Sequence, residues 1–170
     1  MRVKRENDTL LLHLNALEAR VFLQVLRLLA DNYGLAPGDL PEPAASAWYS
    51  TRGCASAGMS EEETREWLAH LHALKGARLE KIEHWAAQLA ETRGGAAQVR
   101  VSLNDAPAFV AAINDHRLLL AARHHLGQEE MDARSLVQVL KLPSATQEAL
   151  MEIHFLAWMM EEMLRFLQEP

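Results

Sequence analysis

The last helical segment of the chain, near residues 144–168, is apolar around most of its circumference. Residues at three- and four-residue spacing form one core-facing stripe: Leu150, Met151, Ile153, Leu156, Ala157, Met160, Met163, Leu164 and Leu167. Four further apolar residues lie beyond that stripe: Phe155, Trp158, Met159 and Phe166. A helix that is apolar on most sides is buried on most sides. The segment is therefore either the central helix of the protein or a helix with a second surface that contacts another chain.

The second-surface hypothesis rests on the kinds of side chain involved. Methionine is flexible and polarisable, and aromatic rings bury a large area, so both suit adaptable or oligomeric contacts. Phe155 and Met159 are the candidate interaction residues on this surface. We therefore expect a homo-oligomer or a complex with another protein, and a glutamate at Phe155 or Met159 is expected to give a folded monomer.

A strand followed by an Asn-capped helix occurs twice in the chain. The first copy is a strand within 3–14 and the cap Asn15, with Glu18 placed to complete a capping box. Three- and four-residue apolar steps predict a helix over 16–33, and they are formed by Leu17, Val21, Val25, Leu28 and Leu29. The second copy begins with the alternating strand near 98–103. The two strands predict a two-stranded antiparallel ribbon packed on helices.

These patterns predict a mainly α fold, a helical bundle of four to five helices with a small two-stranded β-ribbon. A chain of this length buries about 70 per cent of its surface on folding, which is enough for one core. Residues 1–170 are therefore expected to form a single domain: strand plus helix over 1–33, a long loop over 34–59 and a helical core over 60–170, with a strand near 98–103. The remaining predicted helices run from Ser60 to Gly94-Gly95, over about 105–126, near Asp132–Leu140 and over about 144–168.

The loop over 34–59 has no sustained apolar period. Its helix-breaking residues include Pro37, Gly38, Pro41, Pro43 and Gly53. A connection of this length in a compact domain is functional, partly helical or mobile. Trp48-Tyr49 is the expected anchor of the loop to the rest of the protein.

The charge balance and the cysteine count disfavour several classes of protein. The chain has 17 Lys+Arg and 23 Asp+Glu, a net charge of −6 at pH 7, which disfavours nucleic acid as a partner. Its single cysteine, Cys54, supplies neither an internal disulfide nor a thiolate zinc site. The longest apolar runs are far shorter than the ~20 residues of a membrane span, and no secretory signal follows the basic start. We expect a cytoplasmic protein with no membrane contact.

The histidines and the glycine-containing segment predict no chemical site. No two of the eight histidines are three or four residues apart, and neither Glu-x-x-His nor His-x-x-Glu occurs, so the ligand pairs of di-metal bundles are absent from the sequence. The segment from Gly53 to Ser60 has the spacing of a phosphate-binding loop, but Met59 occupies the position of the required lysine. The prediction is no catalytic residue, no metal and no cofactor.

A polar group interrupts the otherwise apolar helix over 105–126. It consists of Asn114, Asp115 and Arg117. Arg117 falls one turn from Ile113 and is expected to be partly buried, with Asp115 or a carboxylate of a neighbouring helix as its partner. The group is either a structural salt bridge that fixes helix packing or a contact to a ligand or a partner.

The strand and helix over 99–123 carry a recognisable pattern. It consists of a V-x-V-x-L strand, an Ala-rich helix start, the motif Ile113-Asn114-Asp115-x-Arg117-Leu118 and a trailing Arg123. This stretch resembles the core of a family of small, mostly helical bacterial proteins, a domain-of-unknown-function family typified by actinobacterial members. The resemblance implies no catalytic activity. Some members are labelled regulators and are encoded near a protease adaptor, which implies regulation or proteolysis without identifying a site.

Three functional hypotheses stay open. The first is a non-enzymatic, self-associating protein-interaction module that uses the last helix and the helix bearing Asn114 and Arg117. The second is a DNA-binding transcriptional regulator with a recognition helix near Asp132–Leu140, although three carboxylates at the start of that helix weaken it. The third is an enzyme with a site under the 34–59 loop.

Overall fold

The computed structural model of this chain describes residues 1–92, 95–127, 139 and 141–168. These residues are mainly helical, with a small antiparallel sheet, as the sequence predicts. The elements are β1 (Arg2–Glu6), β2 (Thr9–Leu14), α1 (Ala16–Tyr33), α2 (Ala44–Trp48), α3 (Arg52–Ser56), α4 (Glu61–Ala90), β3 (Ala97–Ser102), α5 (Ala106–Arg123) and α6 (Ser144–Gln168).

The sheet has three strands in the order β1-β2-β3, and both pairings are antiparallel. The predicted antiparallel pair is β2 with β3, but the ribbon is not two-stranded, because the first strand segment is itself a hairpin. Asn7 adopts a φ of 53° at the turn, a left-handed conformation that asparagine tolerates. In β1 only Val3 is buried, so this charged edge strand lacks the apolar alternation that marks a half-buried strand.

Two helix starts are fixed by side chains close in sequence. Asn15 Oδ1 accepts hydrogen bonds from the backbone N–H groups of Leu17 and Glu18, and the Glu18 carboxylate accepts from Asn15 N. Ser60 and Glu63 form the same capping box at the start of α4. Each box satisfies N–H groups that an open helix end leaves unpaired. The predicted starts of α1 and α4 are confirmed.

The hydrophobic core lies between one face of the sheet and the long helices. Aromatic rings of three elements meet at its centre. Phe109 of α5 contacts Trp85 of α4 edge-on, with ring centroids 4.9 Å apart, and Phe22 of α1 at 5.6 Å. Leu10 and Leu12 of β2 are fully buried in the same cluster. Phe109 therefore links α1, α4 and α5.

Helix α6 buries four residues of the predicted stripe, Leu150, Ile153, Leu156 and Met163, but its buried face differs from the prediction at other positions. Met159 is not on a second surface: it is fully buried, because it lies three residues after Leu156 and four before Met163 on one stripe in the core. Conversely, Met151 and Leu164 of the predicted core stripe are exposed, together with Trp158. Phe155 is half-buried.

The connection between α1 and α4 is partly helical, since α2 and α3 lie within it. Ala44, Trp48 and Cys54 are the buried residues of these helices. The predicted helix near Asp132–Leu140, and with it the recognition helix of the regulator hypothesis, falls outside the described residues apart from Val139. Among the described helices, none has the length and apolarity needed to cross a membrane.

The aromatic junction at Phe109 is expected to support the whole fold. Phe109→Ala removes the ring shared by three helices and leaves a cavity, so the free energy of unfolding should fall by about 3–5 kcal/mol in urea denaturation. Leu74→Ala, at a side chain that is 40% exposed on α4, is the control and should change it by less than about 0.5 kcal/mol. Equal effects of the two substitutions would contradict this description of the core.

Candidate interaction site

Asp115, one of the predicted interaction residues, lies at the centre of a polar cluster between α1, α2, α4 and α5. Its Oδ2 is 2.6 Å from Lys75 Nζ and 3.4 Å from Arg78 Nη1, and it accepts a hydrogen bond from the Tyr33 hydroxyl. Its backbone carbonyl accepts a hydrogen bond of 2.7 Å from Trp48 Nε1. The contacts join residues up to 82 positions apart in sequence.

Lys75 is held in a cage of aromatic rings. Its Nζ lies 5.0 Å from the ring centroid of Trp48, 5.4 Å from that of Tyr33 and 5.9 Å from that of Tyr49, and the residue is 5% exposed. A cation within about 6 Å of a ring centroid is attracted by the ring quadrupole. Burial lowers the pKa of Lys75, while the Asp115 carboxylate opposes that shift.

The cluster has a structural consequence for the candidate site. Asp115 contacts Lys75 and Arg78 of α4, and the ion pairs of the described residues include none between Asp115 and Arg117. Trp48 closes the cluster from the side of the connection, which confirms Trp48 as an anchor. These contacts support the structural interpretation of Asp115.

Arg117 and Asn114 lie on the side of α5 that faces α6. Arg117 Nη1 is 3.5 Å from Asn114 Oδ1 and 3.7 Å from Met160 Sδ, and its buried Nε has no hydrogen-bond partner in the described part of the chain. Burial lowers the pKa of Arg117, and the negative charge of Glu161 opposes that shift. Asn114 and Arg117 are thus together, whereas Asp115 points toward α4.

An apolar groove runs between the start of α1 and the first half of α6. Its volume is about 400 Å³, and it is lined by Leu17, Glu18, Val21, Glu148, Met151, Glu152 and Phe155. Leu17 and Met151 are 60% and 61% exposed. Phe155, a predicted interaction residue, therefore lines an open groove beside two large apolar side chains in water.

A second groove lies on the other side of Leu17, between α1 and the end of α4. It has a volume of about 490 Å³ and is lined by Ala16, Leu17, Ala19, Arg20, Leu23, Arg27, Leu89, Ala90 and Thr92. Leu17 is common to both grooves and forms the ridge between them. The α1/α6 groove has three glutamates in its wall, and the α1/α4 groove has two arginines.

The acidic wall is tied to the fold by two contacts. The Met1 ammonium contacts Glu18 Oε1 at 2.5 Å, and His116 Nε2 lies 2.6 Å from Glu152 Oε1. Because an ionised carboxylate only accepts, the His116 Nε2 carries a proton in this contact. His116 itself is buried, and its Nδ1 has no hydrogen-bond partner among the residues that the structure describes.

Comparison with known proteins assigns the chain to a family. The family model described as domain of unknown function DUF2017 matches residues 1–167. The chain belongs to the DUF2017 family. No curated protein and no solved structure gives a significant match to it.

Sequence reasoning on this DUF2017 chain missed two features of the surface and the cluster. Lys75 lies four residues from both Leu71 and Leu79, so a lysine interrupts a row of leucines on one face of α4. That interruption is the signal that could have marked Lys75. Leu17 was expected to face the core and is exposed instead. Leu17 lies in the first turn of α1, so no residue one turn earlier in the helix helps to identify the buried face from the spacing.

The ion pair in the DUF2017 chain is expected to be strongly coupled. Lys75→Met or Asp115→Asn leaves one buried charge without its partner, so each should lower the free energy of unfolding by about 3–5 kcal/mol, and the double variant by less than their sum. The control is the Lys81–Asp105 pair, whose side chains are 41% and 34% exposed and whose coupling should be at most about 1 kcal/mol. Additive effects at Lys75 and Asp115 would contradict the cluster.

The tyrosines of the DUF2017 chain should ionise late. Burial raises the pKa of Tyr33, and the Asp115 carboxylate, which accepts a hydrogen bond from its hydroxyl, raises it further; burial also raises the pKa of Tyr49. Since the unfolded chain releases these protons near pH 10, the free energy of unfolding should fall as the pH rises above about 10. Ultraviolet titration checks this, and Tyr33→Phe should remove the later step. A normal titration near pH 10 for both tyrosines would refute the placement of Tyr33.

Proposed function

We propose that this DUF2017 chain is a non-enzymatic protein-interaction module that self-associates through the start of α1 and the first half of α6. The observation that carries the proposal is the exposed ridge of Leu17 between two grooves of opposite charge. A cytoplasmic location is part of the proposal, and the free, buried thiol of Cys54 is compatible with a reducing compartment.

The apolar part of the surface supplies the driving force. Leu17 and Met151 expose most of their side chains, with Val21 and Phe155 between them, and Trp158 follows one turn after Phe155 on α6. Burying apolar surface contributes roughly 25 cal/mol per Å² removed from water. Large apolar side chains that are adjacent on a surface mark contact sites more strongly than scattered ones.

Charge selects a second copy as the occupant. Arg20 and Arg27 line the α1/α4 groove, and neither takes part in an ion pair with the described residues. Glu148 and Glu152 line the α1/α6 groove on the far side of Leu17; Glu152 contacts His116, and the ion pairs of the described residues do not include Glu148. The surface therefore carries a positive half and a negative half with an apolar ridge between them, and such a surface is complementary to itself.

Two-fold symmetry then fixes the geometry of the dimer. In an isologous interface the same patch is used by both subunits, so each residue pair occurs twice. An axis near Leu17 places the arginine groove of one copy on the glutamate groove of the other, and the reverse. The two Leu17 side chains meet near the axis, where they are removed from water.

The test compares the oligomeric state of the parent protein and matched variants by sedimentation velocity. We expect a dimer for the parent and a folded monomer for Leu17→Glu and for Met151→Glu, because dimerisation would desolvate an unpaired carboxylate. Leu74→Glu is the control: Leu74 is 40% exposed on α4, outside both grooves, and its variant should remain a dimer. Circular dichroism checks that all variants are folded.

A charge exchange tests the pairing of the grooves. Arg20→Glu and Glu148→Arg should each weaken the dimer, and the double variant should restore it, because the pair is recreated with opposite polarity. A monomeric parent protein at every concentration would contradict the proposal, and so would a dimer that both Leu17→Glu and Met151→Glu leave intact. A monomer that instead binds a different protein at this surface would also overturn self-association.

A further inference from the structure

A polar cleft lies at the edge of the sheet and shares no lining residue with the two grooves beside Leu17. It is formed by β2, β3, the second half of α4 and the approach to α5, and it is lined by Thr9, His84, Trp85, Gln88, Arg100, Ser102 and Asp105. Its volume is about 480 Å³. Small-molecule sites have volumes of roughly 300–1,000 Å³ and combine an apolar surface with a few convergent polar groups. Trp85 is the one large apolar residue of this lining and is only 2% exposed, so the residues of the cleft are mainly polar.

We propose that this cleft binds a small oxyanion, a phosphate or a carboxylate carried next to a hydroxyl group, with Arg100 as the anchoring cation. The ion pairs among the described residues do not include Arg100, so its guanidinium is not committed to a carboxylate there. A guanidinium presents paired N–H donors that match phosphate and carboxylate oxygens.

The backbone of Arg100 is held in place by Gln88 of α4. Gln88 Oε1 accepts a 2.7 Å hydrogen bond from Arg100 N, and Gln88 Nε2 donates to Arg100 O at 3.3 Å. These bonds close part of the outer edge of β3, which as an edge strand has no neighbouring strand there. They also hold the base of the Arg100 side chain at the cleft.

The same amide orients His84 as a donor. Because Gln88 Oε1 must face Arg100 N–H, Gln88 Nε2 is the atom that lies 3.0 Å from His84 Nε2. A nitrogen donor at this position makes His84 Nε2 the acceptor. The proton of the neutral ring is then on Nδ1, so His84 keeps one N–H donor in addition to those of Arg100, and both residues line the cleft.

Lys81 compensates the negative charge of Asp105, which reduces its repulsion of a bound anion. Lys81 Nζ contacts its Oδ1, and Ser102 Oγ donates a 2.7 Å hydrogen bond to its Oδ2. The Lys81 and Ser102 hydrogen bonds hold the pKa of Asp105 below its usual range, so the carboxylate is ionised and paired with Lys81 at neutral pH. It remains an acceptor for a ligand hydroxyl, which is why the proposed ligand carries one.

The neighbouring sheet surface adds positive charge. The register pairs Lys4 with Leu11 and Leu11 with Arg100, so Lys4 and Arg100 flank Leu11 on one face of the sheet. Arg2 and Glu6 lie on the same face, where three cations outnumber one carboxylate. This cationic face belongs to a chain with a net charge of −6. An anion is therefore attracted to this face against the charge of the whole protein.

The experiment is an NMR titration of the full chain with three probes: inorganic phosphate, glycerol 3-phosphate and lactate. We expect saturable chemical-shift changes at the backbone amides of Thr9, Arg100 and Ser102. The probe that carries both the preferred anion and a hydroxyl group should bind most tightly. The comparison of glycerol 3-phosphate with lactate identifies phosphate or carboxylate as the source.

Matched variants locate the anchor. Arg100→Gln should weaken binding about tenfold or more, because it removes a charge-assisted hydrogen bond, while Arg65→Gln, on an exposed part of α4 outside the cleft, should not change it. His84→Gln should weaken binding to a smaller extent. Shifts that do not saturate with any of the three probes, or an equal loss in the Arg65→Gln variant, would overturn the proposal.

Discussion

Asp115 is the residue that links the helices α1, α2, α4 and α5 of this protein. It pairs with Lys75 inside the fold, accepts the Tyr33 hydroxyl and has Arg78 alongside, while its backbone carbonyl receives Trp48. Placing two charges away from water is costly, and the hydrogen bonds and aromatic faces around the pair offset that cost. The position of the whole connection between α1 and α4 depends on this cluster, because Trp48 is the residue through which α2 reaches it.

This arrangement decides which surfaces are left for function. Asp115 is used inside the molecule, so the polar interruption of α5 divides into a structural part and the Asn114–Arg117 pair beside α6. Leu17 and Met151, the most exposed large apolar side chains of the described residues, lie elsewhere. The proposed self-association therefore uses the ridge between the α1 grooves, and the proposed anion site is the separate polar cleft at Arg100.

Local signals in the sequence were sufficient for much of the fold. Capping boxes and apolar spacing identify α1 and the start of α4, because the interactions that define them lie within a few residues. The Lys75–Asp115 pair joins positions 40 residues apart, and no local pattern specifies it. Met159 was predicted at the surface and is buried, whereas Met151 was predicted in the core and is exposed. Both lie on the same apolar helix, so the elements that pack against α6 decide which of them is buried. The charged strand β1 was missed because its pairing with β2, and not its own composition, makes it a strand.

The symmetry of the proposed dimer can be measured directly by crosslinking. In a Cys54→Ser background, Leu17→Cys places the sole thiol of the chain on the ridge next to the proposed two-fold axis, and Leu74→Cys places it outside both grooves. With a short bismaleimide, we expect Leu17→Cys to give a covalent dimer in high yield and Leu74→Cys to give none. Equal yields from the two variants, or no covalent dimer from Leu17→Cys, would contradict self-association through this ridge.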